Sequence, residues 1–189
     1  KESNDMSKIA VVFHSGYGHT KRMAEAVAAG AGAQLIAIDA EGNITDADWA
    51  ALDAADAIVM GSPTYMGSVS WQFKKFADAS SKAWFAQKWK NKLFAGFTNS
   101  GSMNGDKLST LHYLFTLAMQ HGGLWVGTAL APSSAKTAQR GDINFLGSFC
   151  GAMAQTAVDA GVDEMQPGDL ETAKLFGTRV AEISARIGK

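Results

Sequence analysis

The sequence predicts an α/β fold in which five parallel strands form one doubly wound sheet, in the order 2-1-3-4-5, with helices on both faces. Five short apolar runs, of the kind that form strands buried on both faces, are spread along the chain. Segments with helical spacing alternate with them, and such alternation requires right-handed crossovers onto a parallel sheet. Small polar loops with glycine follow the first, third and fourth runs, which places them at one edge of the sheet.

The strands are predicted at residues 9–13, 34–39, 57–61, 92–98 and 124–130. Between the first two, a helix is expected over residues 21–32, ended by Gly30 and Gly32. Thr45 is predicted to cap the next helix, because Asp48 stands at the spacing of a capping box.

The second half of the chain is less regular. Residues 80–91 are interpreted as an irregular segment. Asp106 is predicted to cap a long helix that ends at Gly122, and Asp169 to cap the final helix, which runs to Ile187.

Residues 131–142 are interpreted as a surface loop, and the apolar, glycine-interrupted stretch 143–155 is assigned to no element. Residues 1–7 are predicted to be a flexible tail, and residues 8–189 one domain, the size expected for 189 residues. The single cysteine, Cys150, lies among apolar residues and is interpreted as a core residue rather than a reactive thiol.

Composition excludes several classes of function. A net charge of −1 gives no support for nucleic-acid binding. No apolar run is long enough to span a bilayer, and the first residues show no signal peptide, so a cytoplasmic location is expected. No group of His, Cys, Asp or Glu has metal-ligand spacing, and the serine elbow of α/β-hydrolases is missing.

The three polar loops carry the candidate site: the first loop (residues 14–20, HSGYGHT), the second loop (62–68, SPTYMGS) and the third loop (99–105, NSGSMNG). The first loop leads from a strand into a helix, an arrangement that favours a phosphate. It lacks the lysine of a P-loop, and Lys21 stands where a dinucleotide motif has its third glycine. Taken alone, this loop is equally consistent with a plain turn.

The second and third loops indicate a flat ligand. Tyr65 and Met66 offer surfaces that pack on an aromatic ring, and the third loop offers amides and hydroxyls for a polar ring edge. A monophosphate at the first loop together with a planar heterocycle at the other two describes flavin mononucleotide (FMN). Ordinary turns remain the alternative for both loops.

These stretches resemble a known family. AVVFHSGYGHTKRMAEAV, IVMGSPTYMGSVSWQFKKFAD, LFAGFTNSGSMNGDK and AMQHGG are similar to the flavodoxin-like superfamily and, within it, to the WrbA-type FMN-dependent NAD(P)H:quinone oxidoreductases and related NADPH-dependent FMN reductases. The resemblance runs from Ile9 to about Leu130.

The resemblance implies roles for all three loops. Phosphate and the start of the ribityl chain would be held by Ser15, Gly16, Tyr17, Gly18, His19 and Thr20. The isoalloxazine ring would be lined by Pro63, Thr64, Tyr65 and Met66. Its other side would be wrapped by Asn99, Ser100, Gly101, Ser102, Met103 and Asn104.

The resemblance also implies a substrate pocket and an assembly. His121 matches a helix-end histidine that reaches the flavin site of a neighbouring subunit, which would make the protein a homodimer or homotetramer. Trp84 matches a tryptophan that walls the substrate pocket, and Tyr17 a position near the nicotinamide nucleotide.

The chain departs from the family in two segments. Only residues 41–56 separate the second and third strands, where the family has a longer segment associated with tetramers. Residues 131–141 replace a glycine-rich stretch, and Lys136 and Arg140 there are interpreted as solvated charges rather than contacts to an NADPH phosphate. The resemblance therefore implies less about assembly and the nicotinamide site than about the flavin site.

The expected function is a two-electron transfer from NADH or NADPH, through N5 of FMN, to a quinone or similar aromatic acceptor. The alternative is a flavodoxin-type electron carrier between proteins, with no NAD(P)H activity of its own. Such carriers are usually strongly acidic, so the net charge of −1 favours the enzyme. A non-catalytic flavin-binding protein is a third possibility.

Overall fold

The computed structural model describes residues 7–187. The strands are β1 (Ile9–Phe13), β2 (Gln34–Ala37), β3 (Ala57–Tyr65), β4 (Ser68–Val69), β5 (Leu93–Ser100), β6 (Leu124–Trp125) and β7 (Ala152–Gln155). The α-helices are α1 (His19–Ala31), α2 (Asp46–Ala54), α3 (Trp71–Ala79), α4 (Ser81–Phe85), α5 (Lys107–Gln120) and α6 (Pro167–Ile187). Of the predicted tail, all but Ser7 lies outside the described residues.

The sheet has the order β2-β1-β3-β5-β6, and every neighbouring pair in it is parallel. With β5 as the fourth strand, this is the predicted order 2-1-3-4-5, which is confirmed. Helices cover both faces, as predicted. Side chains of β1 alternate between two apolar layers, so that Val11 packs with α1 and α6 while Val12 packs with α2, α3 and α5.

The fifth strand position is split. β6 pairs with the start of β5, and β7 pairs in parallel with its end, from Phe97 opposite Ala152 to Ser100 opposite Gln155. Residues 126–151, which we call the insertion, leave the sheet between the two. The predicted strand 124–130 therefore ends at Trp125, and the unassigned stretch 143–155 contains β7.

Hydrogen bonds within the insertion explain why the chain leaves the sheet. The Thr128 amide donates to the Phe149 carbonyl instead of to β5. Buried Asn144 donates to the Leu130 carbonyl and accepts from the Ser148 amide. These bonds within the insertion replace bonds that a strand would make to the sheet, and α6 provides others, since the Asn144 amide donates to Thr172 Oγ1.

The structure confirms some of the predicted helix caps and not others. The capping box is confirmed, since the Asp48 amide donates to Thr45 Oγ1 at 3.2 Å and the Thr45 amide to Asp48 Oδ2 at 3.1 Å. Asp106 stands at the start of α5 with a φ of 52°, but its side chain makes no capping bond. Asp169 lies inside the first turn of α6 rather than capping it. The predicted irregular segment 80–91 contains the short helix α4.

Helices α1 and α6 approach each other closely through glycine. Gly30 does not end α1, which continues to Gly32, where a φ of 62° closes the helix. A side chain at Gly30 would overlap the Lys174 carbonyl of α6, and one at Gly177 would overlap the Val27 carbonyl of α1. Both glycines are therefore needed for the contact that holds α1 against the sheet.

Candidate functional site

A cavity of about 330 Å³ opens at the carboxyl edge of the central strands. Its lining comes from the first loop (Ser15, Gly16, Tyr17, His19, Thr20), the second (Pro63, Thr64, Tyr65), the third (Asn99, Ser100, Gly101) and the segment after β7 (Thr156, Val158). The three loops that the sequence singled out therefore meet at one site, as a parallel sheet of this order requires.

The first loop delivers the start of α1 to this cavity. Gly18 precedes the helix with a φ of 96°, and its amide donates to Ser15 Oγ at 3.1 Å. The first amides of a helix have no intrahelical acceptor, and the first turn of α1 contains no acidic residue. This end of the helix, with buried Thr20 in its first turn, is suited to an anion.

Two tyrosines flank the cavity mouth. The rings of Tyr17 and Tyr65 pack edge to face, with centroids 6.3 Å apart. A side chain at Gly16 would lie 2.5 Å from the Tyr65 hydroxyl, so only glycine leaves this corner open. Burial raises the pKa of Tyr65 above its ordinary value, which keeps the hydroxyl protonated. Tyr17 is 81% exposed.

The second loop is a hairpin rather than a simple turn. Strand β3 runs on to Tyr65 and pairs with β4, through a turn in which Met66 and Gly67 have φ values of 48° and 82°. The Met66 side chain is fully exposed and lies outside the cavity lining, contrary to the predicted contact with the ring. Thr64 Oγ1 hydrogen-bonds Thr98 and Thr110, each at 2.8 Å.

The third loop divides into two parts. Asn99, Ser100 and Gly101 line the cavity as predicted. The following residues, Ser102, Met103 and Asn104, lie outside its lining, as does Gly18 of the first loop. The carbonyls of residues 102–104 surround the side chain of Lys107 instead. Sequence reasoning missed Lys107, because a lysine at a helix start ordinarily faces solvent.

The segment after β7 forms a wall of the cavity that the sequence did not predict. Thr156 Oγ1 donates to Asn99 Oδ1 at 2.9 Å, and Gln155 Nε2 to the Gly101 carbonyl at 2.7 Å. His19 Nε2 hydrogen-bonds the Ala160 carbonyl at 2.9 Å, which ties this segment to the first loop. The sequence holds no recognisable signal for this wall, because its strand is short and glycine precedes it.

His14 begins the first loop and is hydrogen-bonded to the residue that precedes α3. Its Nδ1 shares a hydrogen bond of 2.8 Å with Ser70 Oγ, and the Ser70 amide donates to Ser62 Oγ. Burial lowers the pKa of His14, so the ring is neutral near neutral pH. The interpretation of His14 as a hydrogen-bonded residue at a strand end, rather than a catalytic base, is confirmed.

Neither His121 nor Trp84 lines the cavity of its own subunit, and the roles expected for them in an assembly stay predictions. His121 follows α5 and is 2% exposed, with Nε2 2.9 Å from Ser80 Oγ. Trp84 lies in α4, near the start of β5, and packs on Phe85, so it is at the opposite edge of the sheet from the cavity.

Arg140 is not a solvated loop charge. Its guanidinium makes two hydrogen bonds to the Asp169 carboxylate, at 2.6 and 2.8 Å, and another to the Gln155 carbonyl at 3.1 Å. Asp169, with a side chain only 3% exposed, also accepts from the Gln155 amide at 2.9 Å. This ion pair joins the insertion, β7 and α6 behind the new cavity wall.

The part of the chain that the structure describes offers neither a metal site nor an activated thiol. Residues 7–187 contain no group of three or more His, Cys, Asp or Glu that could hold a metal ion. Burial raises the pKa of the Cys150 thiol, which agrees with an unreactive side chain. Within the same residues, none of the helices is long and apolar enough to cross a membrane.

The donor set fits FMN. The free amides at the start of α1, with Ser15 and Thr20, suit a phosphate dianion. Pro63, Tyr65 and the Asn99–Gly101 backbone suit a flat ring with a polar edge. Gly16 keeps the passage between the two open, since a larger residue would meet Tyr65.

This fold and site define a flavodoxin-like FMN-binding oxidoreductase. The chain belongs to the NADPH-dependent FMN reductase family, whose model matches residues 17–137, and the WrbA-type resemblance is confirmed. It is 55% identical to Flavodoxin FldP of Pseudomonas aeruginosa over 96% of this chain and 99% of that protein. It is 32% identical to NAD(P)H dehydrogenase (quinone) of Archaeoglobus fulgidus over 96% of this chain and all of that protein.

A solved structure agrees with this assignment. The flavodoxin, WrbA-like protein from Agrobacterium tumefaciens superposes with a TM-score of 0.78 at 57% identity, covering 95% of this chain and 98% of that one.

Proposed function

We propose that this chain is a flavodoxin-type electron carrier, which binds FMN in the cavity and exchanges electrons with partner proteins at the cavity mouth. The observation that carries the proposal is the mouth itself. Its rim consists of Tyr17, Tyr65, Met66 and Val158, all exposed and uncharged. Exposed apolar clusters of this kind mark interaction sites, and redox partners meet through small transient interfaces.

The cavity mouth of one subunit is an open edge, and neither Trp84 nor His121 lines it. An open edge suits electron transfer to a protein partner. The predicted homodimer or homotetramer stays a prediction, as does a pocket wall supplied by a neighbouring subunit.

The lengths of the relatives agree with this choice. The alignment with Flavodoxin FldP runs over 182 positions. That with the A. fulgidus quinone dehydrogenase runs over 206, more positions than this chain has residues. The quinone dehydrogenase therefore carries residues that this chain lacks, in line with the short segment 41–56.

The charges around the mouth explain how a carrier can have a net charge near zero. Asp159, Asp163 and Glu164 follow Val158, and Lys21 and Arg22 of α1 line a groove together with Asp163. The charges are mixed, so the apolar rim rather than an electrostatic field would select the partner. Partner binding should accordingly depend only weakly on salt.

Bound FMN supplies the electron transfer, and the chain positions it. The start of α1 would hold the phosphate end, while Tyr65 and the third loop would hold the ring end. Burial raises the pKa of the Tyr65 hydroxyl further above neutral pH.

The test mixes the FMN-loaded full chain with NADPH, alone and then with an NADPH-dependent flavoenzyme that reduces flavodoxins, using cytochrome c as the acceptor. NADPH alone should leave the flavin oxidised, and cytochrome c reduction should require the added flavoenzyme. Met66→Ser should slow this transfer, whereas Met119→Ser, which alters an exposed methionine of α5, should not. Rapid oxidation of NADH or NADPH by benzoquinone with this chain alone would overturn the proposal.

That outcome would establish the second candidate, an NAD(P)H:quinone oxidoreductase acting through FMN on a quinone-like acceptor. It is favoured by the family model, which describes NADPH-dependent reductases and matches residues 17–137. Several relatives named NAD(P)H dehydrogenase (quinone) also match over 96% of this chain.

A further inference from the structure

Lys107 is a buried lysine beside the flavin site with no role in the proposed function. It is the first residue of α5 and is 2% exposed. Its Nζ donates to Ser100 Oγ at 2.8 Å and to the carbonyls of Met103 at 2.7 Å and Asn104 at 2.9 Å. The Ser102 carbonyl lies at 3.3 Å. Four oxygens of the third loop thus converge on one ammonium group.

This arrangement determines the shape of the third loop. With three consecutive carbonyls turned toward Nζ, the amides that follow them point away, because each peptide unit is planar and trans. Gly105 and Asp106 complete the loop with φ values of 58° and 52°. A positive φ is uncommon outside glycine, although aspartate adopts it more readily than most residues. The ammonium holds the three carbonyls that precede these two residues.

Ser100 connects the ammonium to the cavity. Its backbone lies in β5, it lines the cavity with Asn99 and Gly101, and its hydroxyl accepts from Nζ while donating to the Ser102 carbonyl. Of the three loop residues that line the cavity, Ser100 is therefore the one that is bonded directly to the ammonium group.

The pKa of Lys107 is lowered toward neutral pH. Burial lowers its pKa to about 8. The charge of Asp169 in α6 raises this pKa, and the charge of Arg140 in the insertion lowers it. Cys150 faces it across a groove of the insertion, and burial raises the pKa of that thiol. Asp106, next in the chain, is exposed.

We propose that Lys107 is a positioning residue that makes FMN binding depend on pH: its ammonium form holds the third loop in the FMN-binding shape, and its neutral form releases it. The neutral amine has two N–H donors and a lone pair, which cannot satisfy four oxygens. FMN should therefore bind more weakly as the pH rises through about 8. By linkage, the loss is at most about tenfold per pH unit. The proposal rests on FMN occupying the cavity.

The test measures the dissociation constant of FMN by flavin fluorescence between about pH 6.5 and 9.5, for the full chain and three variants. Lys107→Arg keeps the charge throughout this range, so its affinity should not fall above about pH 8. Lys107→Met lacks both charge and donors, so it should bind about tenfold more weakly than the parent below that pH, and it too should show no fall above it. Lys92→Met is the matched control: Lys92 donates to the carbonyls of Asp53 and Ala55, far from the cavity.

The pH profiles of the parent chain and its variants decide the proposal. The proposal predicts a loss of affinity above about pH 8 in the parent chain and in Lys92→Met, and none in the two Lys107 variants. The same pH profile in Lys107→Arg as in the parent, or a parent profile that is flat, would overturn it. If Lys107→Met does not fold, the arginine variant still decides. A parent chain that reduces quinones with NADPH would contradict the carrier function and leave this proposal intact.

Discussion

Replacing Asp169 by asparagine should lower the free energy of unfolding by up to about 3–5 kcal/mol, because it leaves the partly buried guanidinium of Arg140, with a side chain 22% exposed, without its counter-ion. The carboxylate is 3% exposed and also accepts from the Gln155 amide, so water cannot take its place without opening the structure. Denaturant unfolding of the full chain at neutral pH measures the change.

Two controls separate the buried ion pair from salt bridges in general. Lys88 pairs with Asp53 at 2.6 Å, but its side chain is 53% exposed, so Lys88→Ala should cost less than about 1 kcal/mol. The double variant Arg140→Met, Asp169→Leu should recover much of the loss, because no unpaired charge remains. A cost for Asp169→Asn no larger than that of Lys88→Ala would contradict the role assigned to this pair.

The same substitution should weaken FMN binding. Gln155 is tied to Asp169 through its amide and to Gly101 through its side chain. It is followed by Thr156, whose hydroxyl holds Asn99. The ion pair therefore supports one wall of the cavity, although no atom of it lines the cavity.

The second large effect is expected at the contact between α1 and α6. A valine at Gly177 would overlap the Val27 carbonyl, which is backbone and cannot rotate away, so we expect a loss of about 2–4 kcal/mol in the free energy of unfolding. Helix propensity predicts no such loss, because glycine is already the poorer helix former. Denaturant unfolding distinguishes the two expectations by sign.

Glu182→Ala provides the control, since Glu182 is exposed on the same helix, and its effect should stay within about 0.5 kcal/mol. Because α1 carries the first loop at its start, Gly177→Val should also weaken FMN binding. Unchanged stability in Gly177→Val would show that the two helices are not held as closely as the structure has them.

The sheet could be predicted because its central strands are apolar on both faces. β1 is found at the predicted residues 9–13, where the run IAVVF leaves no other interpretation. The fifth strand position could not be predicted, because β6 has two residues and β7 four, and β5 rather than local pattern selects them. The insertion between them carries no periodic signal.

The residues of the site could be predicted where they come directly after a predicted strand. Five residues of the first loop, and Asn99 to Gly101 of the third, line the cavity because parallel strands end at one edge. Thr156 and Val158 were missed, since they follow a strand that was not recognised. Lys107 and Arg140 were missed for another reason: the burial of Lys107 depends on a folded loop, and the ion pair of Arg140 depends on a partner distant in sequence.

Similarity to a family singled out three loops that meet at one cavity, and two further side chains that lie elsewhere in the subunit. Trp84 and His121 match family positions in sequence, yet this chain places them at the other edge of its sheet. The roles expected for them concerned the substrate pocket and a neighbouring subunit, which depend on assembly rather than on local pattern.

The first loop and the start of α1 are expected to hold the phosphate of FMN. The direct test compares the affinity of the chain for FMN with that for riboflavin, which has the same ring and no phosphate. FMN should bind more than about a hundredfold more tightly, and the double variant Ser15→Ala, Thr20→Val should reduce this ratio. Equal affinities for FMN and riboflavin in the parent chain would contradict the assignment of the phosphate site.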